Sequence, residues 1–393
     1  MQPAPLPPLS LYIHIPWCVV KCPYCDFHSL PQRGPLPEAA YVAAVLADLD
    51  AAQATIQDRT IGSVFFGGGT PSLFSGAAVA SLLAGVAGRV RLAADAEITL
   101  EANPGTVEAA RFQAFREAGV NRLSLGVQSL HDAALKALGR IHDARAGWAA
   151  MEAAAAAGFA SFNVDIMYGL PGQTPDAART DMEGVLAVHP PHLSLYELTI
   201  EAHTAFAHNP PALPEEDMRL AIEEQVTQIA AGAGYERYEV SAYARPGQQA
   251  RHNLNYWRFG DYLGLGAGAH SKLTDAAGTV VREVRMQDPQ RYLTATDRVA
   301  TRRVLARTDL IFEFLLNNLR LTRGFDEGLL RARTGQGLTD LQALWREPVR
   351  RGLLAWDADG VRATALGRRF LDSLLADILD NLEGRKDRPA RAR

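Results

Sequence analysis

The sequence predicts an α/β fold: a partial (β/α)6 barrel followed by a C-terminal helical, winged-helix-like domain. Three observations predict it. Six short runs rich in β-branched and apolar residues alternate with alanine-rich helical stretches over the first two thirds of the chain, the pattern of a parallel sheet covered by helices. Six such units are too few for a closed eight-fold barrel and suit an open one. From Asp309 onward the alternation gives way to helices and a single hairpin. At 393 residues the chain is also longer than one ordinary core requires, so a barrel with an appended domain is expected.

In chain order, the expected strands are SLYIHIP from Ser10, IGSVFFGG from Ile61, EITLEANP from Glu97, RLSLGVQS from Arg122, FNVDIMYG from Phe162 and HLSLYELTI from His192. Helical patterns lie between them, among them Glu38 to Gln57, Val107 to Ala118, Ala144 to Ala157 and Pro175 to Val188. The proline-marked connector HNPPALPEED leads into a further helix, Met218 to Ala231. The glycine-rich region through GLGAGAHS reads as irregular. Helices follow at Leu310 to Arg320, Asp326 to Arg333 and Leu338 to Gly352, then LLAWDADGVRAT as a hairpin turning on Asp-Gly, and a last helix from Gly367 to Leu382. The expected divisions are a barrel over 1–240, a connecting region over 241–308, the helical domain over 309–384 and a basic tail over 385–393.

Hydrophobic residues at 48% and charged residues at 21% describe a soluble globular protein. A net charge of −4 gives no footprint for nucleic acid as a partner. No run approaches the ~20 consecutive apolar residues of a membrane span. The proline-rich start MQPAPLPPLS lacks the basic and apolar regions of a secretory signal, so a cytoplasmic location is expected. The tail carries Arg385, Lys386, Arg388, Arg391 and Arg393; it reads as a solvated end, with weak membrane-surface contact as the alternative.

All three cysteines, Cys18, Cys22 and Cys25, fall in the loop after the first strand. Three cysteines cannot form a fully paired disulfide framework. Thiolates at such spacings on a short loop hold iron–sulfur clusters, and three ligands leave a fourth iron open, as a catalytic zinc keeps one position open. A zinc site completed by His14 or His28, or three packed thiols, are the alternatives; Lys21, Pro23 and Asp26 argue against continuous burial of the loop. Asn103, Gln128, Asp165 and Glu197 fall at or near the carboxyl ends of their strands, the edge where parallel α/β sheets bind ligands.

The C-x3-C-x2-C spacing, with Tyr24 before the third cysteine, resembles the radical S-adenosylmethionine (SAM) superfamily. The surrounding YIHIPWCVVKCPYCDF is similar to the family of oxygen-independent coproporphyrinogen III oxidases and their heme-chaperone relatives, and the likeness covers nearly the whole chain. That resemblance implies a radical SAM barrel. It implies a [4Fe–4S] cluster on Cys18, Cys22 and Cys25, with SAM on the open iron. Tyr12 and Tyr24 match aromatic positions near cluster and cofactor, and Gly67, Gly68, Gly69 and Thr70 match a strip that contacts the methionine moiety of SAM. Glycines there let the backbone approach a zwitterion. Glu101, Gln128, Arg140 and Asp165 match further SAM-contacting positions; a carboxylate suits a ribose diol or an ammonium, an arginine a carboxylate.

Two features choose between the branches. The oxidases carry another cysteine two residues after the third, where Phe27 stands here, and have a longer segment before the first strand. RHNLNYW, Arg251 to Trp257, matches the H-N-x-x-Y-W pattern of the heme chaperones, whose histidine is implicated in heme binding, so His252 is the expected heme residue and His270 its competitor. Imidazole is a common axial ligand of heme iron, and Tyr256 and Trp257 offer faces to cover a porphyrin. The resemblance therefore implies a carrier that passes heme to acceptor hemoproteins. The rival is a radical SAM coproporphyrinogen III oxidase. A third reading, a nucleic-acid module in the C-terminal domain, lacks a basic recognition helix.

Overall fold

The computed structural model describes residues 5–105 and 108–384. The basic tail lies outside these residues, as does Val107, the first residue of one expected helix. The barrel half runs β1 (Leu9–Ile15), α1 (Glu38–Ile56), β2 (Ile61–Gly68), α2 (Gly76–Ala87), β3 (Leu92–Ala102), α3 (Glu108–Glu117), β4 (Arg122–Gln128), α4 (Ala144–Ala156), β5 (Ser161–Tyr168), α5 (Pro175–Ala187), β6 (His192–Glu197) and α6 (Glu216–Gly232). The next segment gives β7 (Glu236–Arg237), β8 (Ala242–Ala244), α7 (Arg251–Trp257), β9 (Asp261–Leu265), β10 (His270–Thr274), β11 (Val280–Arg285) and β12 (Val299–Val304). The helical domain contains α8 (Arg307–Asn318), α9 (Glu327–Thr334), α10 (Gln342–Arg350), β13 (Leu354–Asp357), β14 (Gly360–Ala363) and α11 (Leu371–Glu383).

β1 to β6 pair in parallel in sequence order. Their alternate residues divide sharply by chemistry. Leu11, Ile13, Val64, Phe66, Leu100, Leu123, Leu125 and Val164 enter the core under the helices. The opposite parity, Ser10, Tyr12, Ser63, Phe65, Glu97, Thr99, Glu101, Arg122, Ser124, Asn163 and Asp165, faces the lumen of the open barrel. Helix N-termini are set by side-chain caps, with Ser75, Asp143 and Thr174 each accepting an amide three residues on.

The stretch expected as a connecting region continues this sheet at both edges. β9 adds a seventh parallel strand beside β1, and β10, β11 and β12 extend it antiparallel; β8 and β7 extend it beyond β6. The glycine-rich run read as irregular therefore contains the end of one strand and the start of the next, joined by a turn over residues 266–269. Gly264 explains the unusual composition: a Cβ there would lie 2.0 Å from the His270 carbonyl oxygen, so the β9–β10 crossing excludes any side chain. RHNLNYW forms a helix, α7.

A second core, with Phe314, Phe325, Trp345, Leu374 and Ile378, joins the helical domain to Phe259 and Val280 of the sheet extension. The hairpin turn is Ala358–Asp359, not Asp-Gly, because Asp357 pairs with Gly360. Gly360, at φ 122°, sits where a Cβ would meet the Phe325 carbonyl oxygen at 2.1 Å. The final helix is broken at Phe370, with a short turn of helix, Ala365–Arg369, before α11.

Among the described residues α1 has the length and apolar composition of a membrane span. It packs here as a barrel helix, burying Tyr41, Val45, Leu49 and Ile56, and its Asp48 anchors a buried ionic cluster. Arg285 donates Nε to both Asp48 oxygens at 3.0 Å and Nη1 to Glu283 at 3.0 Å, and the Tyr292 hydroxyl donates to Asp48 at 2.7 Å. Removing Asp48 leaves the buried Arg285 with Glu283 as its one counter-charge among the described residues, and breaking a buried ion pair costs about 3–5 kcal/mol. Asp48→Ala is therefore expected to lower unfolding stability by that order in a denaturant titration. A loss below ~1 kcal/mol would mean that Arg285 finds water on its own.

Candidate functional site

The cysteine loop leaves β1 at Pro16 and returns through backbone pairing. Leu30 donates to the Pro16 carbonyl at 2.7 Å and Gln32 to the Cys18 carbonyl at 2.7 Å. Inside it, Cys25 N–H donates to Cys22 at 3.1 Å and Lys21 Nζ to the Phe27 carbonyl at 2.9 Å. Trp17 wedges the base of the loop between Tyr41 and Phe74, at centroid distances of 4.9 and 6.1 Å. All three thiols are free and half-buried, and burial pushes the Cys25 thiol up.

His14 has no nitrogen left for a metal. Its Nε2 donates to the His28 carbonyl at 2.8 Å and its Nδ1 accepts from Tyr12 Oη at 2.8 Å; burial lowers its pKa to about 4, so it stays neutral. His28 Nε2 donates to the Gln287 carbonyl at 2.8 Å, which pins the end of the loop to the sheet extension. No three thiol, imidazole or carboxylate groups gather around a single-ion position among the described residues. Three free thiols on one loop, with no fourth ligand beside them, suit a cluster with an open iron better than a closed zinc site.

A chain of polar contacts ties this loop to the strand ends. Arg140 directs Nη1 at Cys22 Sγ, 3.6 Å away, and Nη2 at Asn103 Oδ1 and the Gly126 carbonyl, both 2.7 Å away. Asn103 Nδ2 in turn donates to Thr70 Oγ1 at 3.1 Å. Tyr24 is half-buried beside Cys22 and Arg140, with its ring against Phe206 at 6.4 Å. Gly139, at φ 68°, lies where a Cβ would strike Pro23 at 2.6 Å. The Arg140 Nε is buried without a partner, a donor available to an incoming anion.

The Gly67–Thr70 strip divides its duties. Gly69 N–H donates to Ile15 at 2.8 Å and Thr70 N–H to Trp17 at 2.7 Å, so these two amides hold the cysteine loop instead of facing a ligand. A Cβ on Gly69 would lie 2.5 Å from the Trp17 carbonyl oxygen, which makes glycine obligatory there. Gly67 clears the lumen beside Tyr12 and Phe65.

Glu101 and Asp165 face each other across the same end of the lumen. Burial, then the charge of Asp165, pushes the Glu101 carboxyl up to about 8 against the opposing Gly68 amide. Burial also raises Asp165, which accepts from Asn163 Nδ2 at 2.7 Å. Gln128 ends β4 in the left-handed region, φ 71°, which turns its amide back over Gly126. Tyr196, on the inner face of β6, is 45% exposed, so the lumen is open there. The site thus offers a carboxylate pair for a cation and Arg140 for an anion, the donor set that a zwitterionic amino acid needs. The thiols, the glycine strip and these acids fit the implied cluster and SAM.

His252 lies elsewhere. α7 plugs the amino-terminal end of the lumen, where Glu97 Oε1 accepts from both the backbone N–H of His252, at 3.0 Å, and its ring Nδ1, at 2.8 Å. The ring packs on Phe65 with centroids 4.3 Å apart, and its side chain is 11% exposed. Burial opposes ionisation of Glu97, but the His252 contact and the Arg122 charge outweigh it and hold the carboxyl well below its usual range. Burial lowers His252, so it is neutral with its proton on Nδ1. Sequence reasoning placed Asn103 at the ligand-binding edge without its contacts to Arg140 and Thr70, and missed Glu97 and Arg122 in the lower site. The available signal was parity, since Glu97, Thr99 and Glu101 share one face of β3.

Residues 12–183 match the radical SAM superfamily and residues 305–370 the HemN C-terminal domain. The chain is similar to the heme chaperone HemW of Escherichia coli (strain K12), at 48% identity covering 94% of this chain and 98% of that protein. It is similar to HemW of Haemophilus influenzae at 44%, covering 94% and 97%, and to the bovine mitochondrial radical S-adenosyl methionine domain-containing protein 1 at 37%, covering 95% and 88%. Among solved structures, the E. coli coproporphyrinogen III oxidase HemN, a radical SAM enzyme, shares the fold. The TM-score is 0.80 at 24% identity, over 95% of this chain and 90% of that one.

The raised Glu101 carboxyl sets a pH dependence. A carboxyl with a folded pKa of about 8, against 4.5 unfolded, contributes stability that is full below the lower value and lost as pH rises through the upper. Melting temperature without SAM is expected to decline between these values, and Glu101→Gln to flatten the decline. An unchanged slope in the variant would show that Glu101 is already ionised in the folded protein.

Proposed function

Because this chain belongs to the HemW family of radical SAM proteins, we propose that it is a heme chaperone, binding heme and passing it to acceptor hemoproteins. The observation that carries this reading is the 48% identity with a named heme chaperone over 94% of the chain. Phe27 supports it: it is 62% exposed on the cysteine loop, where the resemblance places a cysteine in the oxidases.

In this reading Cys18, Cys22 and Cys25 hold the [4Fe–4S] cluster, and the upper lumen holds SAM. The cluster, if bound, would offer an open iron to the amino and carboxylate groups of SAM, in a regulatory or supporting role. Arg140 receives the carboxylate; Glu101 and Asp165 receive the ammonium or the ribose. Gln128 and the Gly67 and Gly68 backbone line the pocket, and Tyr12 and Tyr24 wall it.

His252 is the proposed heme ligand. The ring donates Nδ1–H to Glu97, which leaves Nε2 without a hydrogen-bond partner among the described residues and basic toward iron. A buried carboxylate behind a ligating imidazole fixes ring and tautomer together. With the ring packed on Phe65, a porphyrin reaches Nε2 only when α7 shifts from beneath β2 and β3.

Equilibrium heme titration followed by the Soret band tests this assignment. His252→Ala is expected to lose the axial-imidazole spectrum, and Glu97→Gln to weaken binding roughly 10–100-fold with the spectrum kept. Absence of heme binding by the wild type would sink the chaperone reading. Intact binding by His252→Ala would move the ligand elsewhere, His270 first. In the same anaerobic preparation, conversion of coproporphyrinogen III at the rate of an authentic oxidase would favour the rival enzyme.

A further inference from the structure

At the amino-terminal edge of the sheet, away from the cysteine loop, three cations surround one buried carboxylate. Asp261, at the start of β9, is wholly buried and accepts from Lys272 Nζ at 2.7 Å and Arg59 Nη1 at 2.8 Å. It also accepts from the Thr274 amide at 2.8 Å and the Thr274 hydroxyl at 2.9 Å, so its lone pairs are taken. Arg333, near the end of α9, is the third cation; it acts on Asp261 through its charge and has no hydrogen-bond or ion-pair partner among the described residues. Its Nε and the Nη2 of Arg59 are buried and unsatisfied.

Neither nearby acid pairs with Arg333 or Lys272 among the described residues. Asp275, a lining residue of the adjoining cavity, accepts with one carboxylate oxygen from Ala277 at 2.9 Å and Thr279 at 2.8 Å in its own turn, and Glu327 pairs with Arg331 at 2.6 Å. Lys272, stacked over the Phe259 ring at 4.3 Å, has its pKa lowered to about 8: burial lowers it most, Asp261 opposes, and the charges of Arg282 and Arg333 add to the lowering. Such an imbalance is costly in a protein interior unless a counter-charge arrives.

Beside these groups is a cavity of about 310 Å³, between the N-terminal segment, the β10–β11 turn and α9. Lys272, Thr274, Arg333 and Thr334 are among its lining residues. We propose that this cavity is a binding site for a small anion, a carboxylate or phosphate group received by Arg333 and Lys272. It is distinct from both the SAM pocket and His252. It lies where the helical domain meets the sheet, so an anion there bridges α9 to β10.

Thermal melting of the full chain at constant ionic strength tests the site, with inorganic phosphate and succinate as separate probes against chloride. A saturable rise on the order of 1–3 °C with either probe is expected for the wild type, and the probe that acts at lower concentration identifies the preferred anion. Arg333→Gln removes an uncompensated cation, so without added anion it is expected to melt no lower than the wild type and to lose the response. Absence of a saturable rise with both probes overturns the proposal. So does an Arg333→Gln protein that keeps the wild-type response, or one that melts lower without anion, since Arg333 would then be paired in the folded state.

Discussion

The candidate site depends on the guanidinium of Arg140. A loop carrying three cysteines has no intrinsic reason to hold one orientation, for its internal contacts are a few backbone turns and one lysine contact. Arg140 reaches from the far side of the lumen to Cys22 and anchors itself on Asn103 and the Gly126 carbonyl. These are the carboxyl ends of β3 and β4. Together with the Gly69 and Thr70 amides, which fasten the start of the loop to the end of β2, it converts a flexible loop into part of the barrel rim. A half-buried arginine with three such partners fixes direction as well as position, because the fork is planar and rigid.

The barrel lumen has two chemically different ends. Near the cysteines burial makes the acids Glu101 and Asp165 resist ionisation, against the charges of Arg122 and Arg140 that act on Asp165. At the opposite end Glu97 is firmly ionised, held by two backbone amides, the His252 ring and the nearby Arg122. One strand supplies both environments, with Glu97 and Glu101 four residues apart on the same face. The difference is set by partners, since burial raises both carboxyls and only one has donors enough to reverse the effect. α7 plugs the second end and thereby keeps His252 away from the cysteine loop.

An open sheet of six βα units has two bare edges, and edges demand cover. The chain spends residues 236–304 on that task, adding β9 to β12 beside β1 and β8 and β7 beside β6. This segment also provides the seats for the C-terminal domain, through Phe259 and Val280, and for α1, through Arg285. The region between barrel and helical domain is thus the part that holds both.

The sequence by itself determined the alternation of strands and helices, the helical domain and the cysteine loop, because each is written in local periodicity or spacing. It also marked Glu101, Gln128, Arg140 and Asp165 through their likeness to a known pattern and their places near strand ends. Tertiary structure alone decided what these residues touch. That Asn103 links Thr70 to Arg140, that Gly69 serves the loop instead of a ligand, and that His252 answers to Glu97 are contacts between residues 33 to 155 positions apart or set by close backbone approach. β9 and β10 were hidden because glycines interrupt the strand pattern where they meet: Gly264 in β9 lies against the His270 carbonyl, where no side chain fits, and Gly266 and Gly268 lie in the turn that joins the two strands.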